Sequence, residues 1–157
     1  MRVWKIADFG ITQEGTARTP LVTTSRRGTV GYRAPELLSS SAIYTNKVDV
    51  WAFGCIVYEV LIGQKRFASD WEAETRAPSS EPISNLVPRD SKLSNSIGDL
   101  ITATLNPDWR ERPTCAKNHE TLLTIGTMLI KSTAVSKQIP ICRSCLGEWN
   151  QWVCSFW

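Results

Sequence analysis

At 157 residues, with 42% hydrophobic and 21% charged side chains, the chain has the length and composition of one globular domain with a sizeable core. Its net charge of +3 is too small to indicate binding to nucleic acid or to an anionic membrane. Five cysteines are too few for a disulfide scaffold, so we expect a reducing, intracellular and cytoplasmic setting. The first residues show no secretory signal, and no apolar stretch reaches the length of a membrane span.

A strand and a long loop are the first elements predicted along the chain. Residues Val3 to Ala7 are rich in β-forming side chains, and the strand they predict ends at Gly10. Residues 11–33 are rich in Thr, Ser, Arg and Gly without any period, which predicts a loop throughout. Pro35 lies at the first turn of a short helix predicted to reach Leu38.

The strongest predicted element is a helix from Tyr44 to Gly63. Thr45 or Asn46 can cap its start, and Gly63 can end it. Beyond its first turn the apolar side chains leave no polar face, which is typical of a buried helix. Gly54 in its middle costs about 1 kcal/mol relative to alanine. We therefore expect another element to pack closely against Gly54.

Three further helices are predicted within and after a polar, proline-punctuated stretch over residues 64–92. A short helix is expected around Asp70 to Thr75. The next begins at a Ser94 cap and carries apolar residues at helical spacing, namely Ile97, Leu100, Ile101 and Leu105. The last is capped by Thr114 and runs to about Leu123.

The composition shifts near Gly126, so residues 126–157 are predicted as a separate tail without an assigned fold. Cys142 and Cys145 have the spacing of half a zinc site, and Cys154 or His119 could supply further ligands. Redox chemistry at the cysteines, an unstructured tail and a contact surface built by tryptophans are the alternatives.

Four motifs occur in an order and spacing that are highly specific. They are Lys-Ile-Ala-Asp-Phe-Gly at 5–10, Gly-Thr-Val-Gly-Tyr-Arg-Ala-Pro-Glu at 28–36, Lys-Val-Asp-Val-Trp-Ala-Phe-Gly at 47–54 and Arg-Pro-Thr at 112–114. Residues 1 to about 123 therefore resemble the C-terminal half of a eukaryotic serine/threonine protein kinase domain. The resemblance implies a mainly α C-lobe fragment over residues 1–125, with a short N-terminal strand and a long activation loop.

The first motif corresponds to the cofactor side of a kinase site. By this resemblance Asp8 holds Mg²⁺ against the phosphates of ATP, a role that needs a hard anionic oxygen ligand. Phe9 corresponds to the phenylalanine whose packing separates active from inactive arrangements, and Gly10 gives that hinge its backbone freedom. ATP and Mg²⁺ are therefore the implied cofactors, with weak or absent binding expected for this chain alone.

The second motif corresponds to the substrate side. The resemblance implies a floor beneath the peptide residue next to the phosphoacceptor, formed by Gly28, Thr29, Val30, Gly31 and Tyr32. Thr29 corresponds to the threonine that helps to position the catalytic aspartate. Its identity favours protein serine and threonine, rather than tyrosine, as acceptors.

Ser25 lies where many relatives of this family carry an activating phosphosite, and Thr24 or Thr23 could serve instead. A phosphate adds about −1.5 to −2 charges and orders a loop when arginines face it. Arg26 and Arg27 are nearby in sequence. An unmodified polar loop is the alternative.

Three residues have structural roles in the resemblance. Glu36 and Arg112 correspond to an ion pair between the end of the activation segment and a later helix, in which a bidentate geometry is strong. Asp49 corresponds to the aspartate that hydrogen-bonds the backbone of the catalytic loop.

The sequence contains no Gly-rich phosphate loop, no strand lysine with its helix glutamate and no His-Arg-Asp motif, and its single histidine, His119, is followed by Glu and Thr. Because phosphoryl transfer depends on positioning and electrostatic stabilisation, we expect this chain alone to be inactive. A protein substrate or an N-terminal kinase half is its expected partner. A noncatalytic kinase-like binding module and a decayed product are the alternatives. The apolar central helix also predicts exposed apolar surface that binds a hydrophobic dye.

Overall fold

The computed structural model of the chain describes residues 20–23, 27–39, 42–76 and 91–135. The chain divides into two compact units. The first unit is Ile11–Thr114, and the second is Met1–Gly10 together with Cys115–Trp157. Every described element except the last helix belongs to the first unit, which also carries the candidate site.

Two short strands and three helices make up the described part of the first unit. They are β1 (Leu21–Thr23), β2 (Ala42–Tyr44), α1 (Lys47–Ile62), α2 (Asp70–Arg76) and α3 (Ser91–Thr104), with a 3₁₀ turn at Pro35–Leu37 between the strands. The second unit contributes α4 (Cys115–Val135). The described residues are therefore mainly helical, as the sequence predicts. None of the helices described here is both long and apolar enough to cross a bilayer.

The strands pair in a small antiparallel sheet in which Leu21 lies opposite Tyr44 and Thr23 opposite Ala42. The prediction of a loop throughout residues 11–33 is therefore wrong at β1. A run of three residues is too short to show the alternation by which a strand is recognised, and its pairing partners lie 19 to 23 residues further along the chain. The strand predicted from the first residues of the chain lies outside the described residues.

Helix α1 ends where the sequence predicts but starts later. Gly63 has a φ of 77°, in the left-handed region, and its N–H donates to the Glu59 carbonyl at 2.8 Å. The predicted start at Tyr44 is wrong, because α1 begins at Lys47. Asn46 occupies the cap position without a side-chain cap hydrogen bond, whereas Thr45 Oγ1 accepts a hydrogen bond from the Lys47 N–H at 3.3 Å.

The core of the first unit forms where α1 packs against α3. A Cβ built on Gly54 would lie 2.4 Å from Thr104 Oγ1 and 3.0 Å from Leu105 Cδ2, so no side chain fits there. The close packing predicted at Gly54 is therefore confirmed. One turn earlier, the fully buried Trp51 stacks on Phe67 with ring centroids 5.4 Å apart.

Two of the later helix boundaries differ from prediction. Helix α3 begins at Ser91, so Ser94 is a buried residue inside the helix and does not cap it. Thr114 does precede α4, but that helix continues to Val135, beyond the predicted end near residue 123. It passes through Gly126, because a long helix tolerates the roughly 1 kcal/mol cost of a single glycine.

Helix α1 is not covered on all sides in the described structure. Val60 is 63% exposed and Leu61 is 42% exposed, and Val48, Ala52 and Ile56 line an open cavity. The exposed apolar surface predicted for this helix is therefore present. Binding of a hydrophobic dye to it stays a prediction.

Candidate functional site

The residues predicted as a substrate floor form a tight loop before the 3₁₀ turn, here called the floor loop (residues 28–33). Gly28 and Gly31 both have a φ of 87°, which favours glycine. The Tyr32 N–H donates to the Thr29 carbonyl at 3.1 Å and closes a turn. A Cβ on Gly31 would lie 2.5 Å from the Phe67 carbonyl oxygen, so the backbone after α1 also excludes a side chain at this position.

Tyr32 connects the floor loop to α1 through a hydrogen bond. Its hydroxyl donates a hydrogen bond to the carboxylate of Glu59, and Lys65 Nζ lies 5.2 Å from its ring centroid. The hydrogen bond with Glu59, followed by burial, raises the pKa of Tyr32. The phenol therefore stays protonated, which preserves it as the donor in this contact.

Arg33 fastens the same loop to α2. Its Nε donates to the Gly28 carbonyl at 2.8 Å, and its Nη1 donates to Asp70 Oδ2 at 2.8 Å. Both side chains of the ion pair are 16% exposed, so water screens this pair less than it screens a surface pair. The two ends of the loop are thereby held together and against a helix.

An open cavity of about 690 Å³ lies beside the floor loop. Thr29 and Asp49 both line it, together with Arg27 and with apolar side chains that include Leu37 and Ile56. Asp49 faces solvent, but the walls of the cavity remove part of its hydration, and this desolvation raises the pKa of its carboxyl. The structure thus brings four of the sequence-predicted site residues to one concave surface, namely Gly28, Thr29, Tyr32 and Asp49.

Glu36 and Arg112, which the sequence predicts as a pair, also lie together. Arg112 donates from Nη1 to Glu36 Oε1 at 2.7 Å and from Nη2 to Oε2 at 2.8 Å, in a bidentate geometry. The guanidinium also donates to the carbonyls of Asn106 at 2.7 Å and Lys47 at 3.0 Å, and it lies 4.9 Å from the Trp51 ring centroid. The 3₁₀ turn after the floor loop is therefore tied to the start of α1 and to the segment after α3.

Sequence reasoning did not find three of these contacts. Lys47 is buried, and its Nζ donates to the carbonyls of Arg112 and Pro113, the second at 3.0 Å. Neither the Tyr32–Glu59 contact nor the Arg33–Asp70 pair was predicted. Charged residues at the ends of helices are usually solvated, so the sequence carries no local signal that separates these residues from surface ones.

The predicted cofactor side of the site lies outside the described residues, as do most of the predicted phosphosites. These are Asp8, Phe9, Gly10, Thr24 and Ser25. Thr23 belongs to β1, but its side chain is likewise outside what the structure describes. The cysteines of the tail likewise lie outside the described residues, whereas His119 is a half-buried residue of α4. Within the described ranges, no cluster of three or more His, Cys, Asp or Glu side chains could hold a metal ion.

Comparison with known proteins decides the family. The family model for the protein kinase domain matches residues 1–122, which include the floor loop, Glu36, Asp49 and Arg112. The chain belongs to the protein kinase family.

Individual serine/threonine kinases support this assignment. This kinase chain is 32% identical over 129 residues to human cyclin-dependent kinase-like 2 and 38% identical over 143 residues to its rabbit (Oryctolagus cuniculus) counterpart, with 82% and 73% of the chain covered. It is 36% identical over 135 residues to the serine/threonine-protein kinase cds1 of Schizosaccharomyces pombe, with 78% covered. The chain spans 26%, 25% and 28% of the lengths of these three proteins, in that order. The resemblance identified from the sequence is therefore confirmed.

Proposed function

We propose that this chain is the substrate-side part of a serine/threonine protein kinase domain. The reaction of that domain is transfer of the γ-phosphate of ATP to protein serine or threonine. The observation that carries the proposal is the floor loop, which two helices hold in a glycine-dependent conformation at the rim of a cavity that Thr29 and Asp49 line. A rigid surface of this kind meets the main requirement of phosphoryl transfer, which is positioning of the acceptor.

The roles of the described residues follow from their places in this surface. The floor loop lies under the peptide residue that follows the acceptor, and Thr29 orients the catalytic aspartate from the cavity wall. Asp49 accepts hydrogen bonds from the backbone of the segment that carries that aspartate. The raised pKa of Asp49 supports this role, because partial desolvation leaves the carboxylate in need of donors.

Asp8 is the residue that holds Mg²⁺ in this proposal, since a carboxylate is the hard oxygen ligand that this ion prefers. When bound, the ion neutralises charge that develops on the phosphates. In this proposal the cavity-lining residues orient the peptide: among the described residues that line the cavity, Asp49 is the one carboxylate and Thr29 contributes a hydroxyl.

The 157-residue polypeptide by itself is proposed to be inactive. It contains neither a His-Arg-Asp motif nor the lysine that contacts the α- and β-phosphates in this family. Positioning one side of the reaction supplies only part of the barrier lowering that a kinase needs.

A fusion protein tests the assignment. The N-terminal half of the kinase domain of the fission-yeast relative would be joined ahead of Met1, and the fusion would be assayed with peptides that differ only in a Ser, Thr or Tyr acceptor. We expect Mg²⁺-dependent phosphorylation of Ser and Thr peptides, no transfer to Tyr, and loss of transfer in Asp8→Ala. A folded fusion that binds ATP but phosphorylates none of these peptides would refute the assignment. Robust transfer by the unfused chain, lost in Asp8→Ala, would refute its inactivity.

A noncatalytic binding module is the second candidate function. It is favoured by the floor loop and cavity, because the described residues that form them all belong to one unit. A protein partner that binds the purified chain equally well before and after Asp8→Ala, and is lost in Gly31→Val, would support this function. Loss of the same partner in Asp8→Ala would count against it.

A further inference from the structure

The carboxylate of Asp70 connects the floor loop to α2. We propose that Asp70 is a positioning residue for peptide binding, acting through Arg33. Asp70 is not among the residues that line the cavity, so its effect on a peptide is indirect. The inference rests on the proposed function, because it assumes that the floor loop supports a bound peptide.

Arg33 makes the connection specific. One planar guanidinium joins the Gly28 carbonyl, five residues earlier, to Asp70 Oδ2, 37 residues later. The first contact closes the floor loop, and the second fixes the closed loop on α2. Lysine could not make both contacts in this arrangement, because its ammonium is a point donor without the fork geometry.

The partly buried Asp70 carboxylate needs the charge of Arg33, just as Arg33 needs Asp70 to hold it on α2. Asp70 Oδ1 is buried and has no hydrogen-bond partner in the described part of the chain. A partly buried carboxylate with one unsatisfied oxygen is costly unless a cation compensates it. The pair is therefore strongly coupled, and loss of either member releases the other.

The start of α2 is rigid enough to act as an anchor. Ser69 Oγ accepts a hydrogen bond from the Glu72 N–H at 3.3 Å, and Glu72 Oε2 accepts one from the Ala68 N–H at 2.7 Å. These reciprocal contacts resemble a capping box and fix the backbone on both sides of Asp70. A side chain carried on a fixed helix start positions its partner more accurately than one carried on a free loop.

The test uses Asp70→Asn in the full-length fusion described above, with Asp108→Asn as the matched control. Asp108 also pairs with an arginine, Arg110, but both side chains of that pair are about half exposed or more, at 49% and 68%. We expect Asp70→Asn to raise the KM for the peptide roughly tenfold, the effect of losing one charge-assisted hydrogen bond, with kcat unchanged. Asp108→Asn is expected to change neither constant.

A second readout does not depend on activity. Amide hydrogen exchange in the full 157-residue chain should become faster at residues 28–33 in Asp70→Asn, and should be restored in part by Asp70→Glu, which keeps a carboxylate. Arg33→Lys should accelerate exchange at the same residues, because the second contact is lost.

The outcomes separate the inference from the proposed function. Unchanged KM and unchanged exchange in Asp70→Asn would overturn the inference, as would a fall in kcat at constant KM or acceleration throughout the unit. A fusion that never phosphorylates peptide refutes the proposed function. In that case faster exchange confined to residues 28–33 would still support the positioning contact.

Discussion

Replacing Glu36 by Gln should destabilise the first unit strongly. The Arg112 side chain is fully buried and that of Glu36 is only 10% exposed, so this change removes the compensating charge from a buried guanidinium. Breaking such a pair on one side costs about 3–5 kcal/mol. Because domains are stable by only about 5–15 kcal/mol, the loss is a large fraction of the total.

Arg112→Leu should cost at least as much. Besides pairing with Glu36, the Arg112 guanidinium donates hydrogen bonds to the carbonyls of Asn106 and Lys47. Leucine would leave both carbonyls without this donor. The two variants together distinguish the loss of charge compensation from the additional loss of backbone hydrogen bonds.

Urea unfolding followed by far-ultraviolet circular dichroism measures the effect. Glu120→Gln is the matched control, because Glu120 pairs with Lys117 at 3.2 Å while both side chains are about two-thirds exposed, and such pairs contribute about 0–1 kcal/mol. The reasoning fails if Glu36→Gln shifts the urea midpoint no more than Glu120→Gln does.

Three further predictions concern the same fold. Gly54→Ala should lower the free energy of unfolding by about 1–3 kcal/mol, because the added Cβ collides with Thr104 of α3. Gly126→Ala should raise it by up to about 1 kcal/mol, because its Cβ meets nothing within 4 Å. Equal urea midpoints for the two variants would contradict this prediction. The buried Cys55 thiol, whose pKa desolvation raises to about 12, should resist alkylation at pH 8 until urea is added. Asp49 has a raised pKa in the folded state, so the stability it contributes is lost as the pH rises above about 4, and Asp49→Asn should stabilise the chain at pH 7 but not at pH 3.

Features encoded by a few neighbouring residues could be predicted. The end of α1 at Gly63 follows from local backbone preference, and the crowding at Gly54 follows from the cost of glycine inside a helix. The Glu36–Arg112 contact joins residues 76 apart in the sequence. It can be predicted only because the motif around each residue resembles the kinase pattern.

Other features depend on partners that no local pattern specifies. Ser94 has the residue type of a cap, but α3 gains three more residues before it and buries its side chain. Arg33 and Asp70 belong to separate polar segments, and their pairing exists only because the chain returns past the floor loop after α1. Tertiary contacts override local propensity at such positions.

The apolar residues of α1 lie on two different sides of the helix. Trp51, Gly54, Cys55 and Tyr58 form the side that is buried within the unit. A second stripe recurs every four residues at Val48, Ala52, Ile56 and Val60; its first three members line the cavity, and Val60 is 63% exposed. Apolar surface left partly exposed in this way is typical of a site of interaction, and here the stripe begins next to Asp49 in sequence. The second stripe therefore supports the proposal that another polypeptide segment, with apolar side chains and backbone donors, lies along this face when the kinase site is complete.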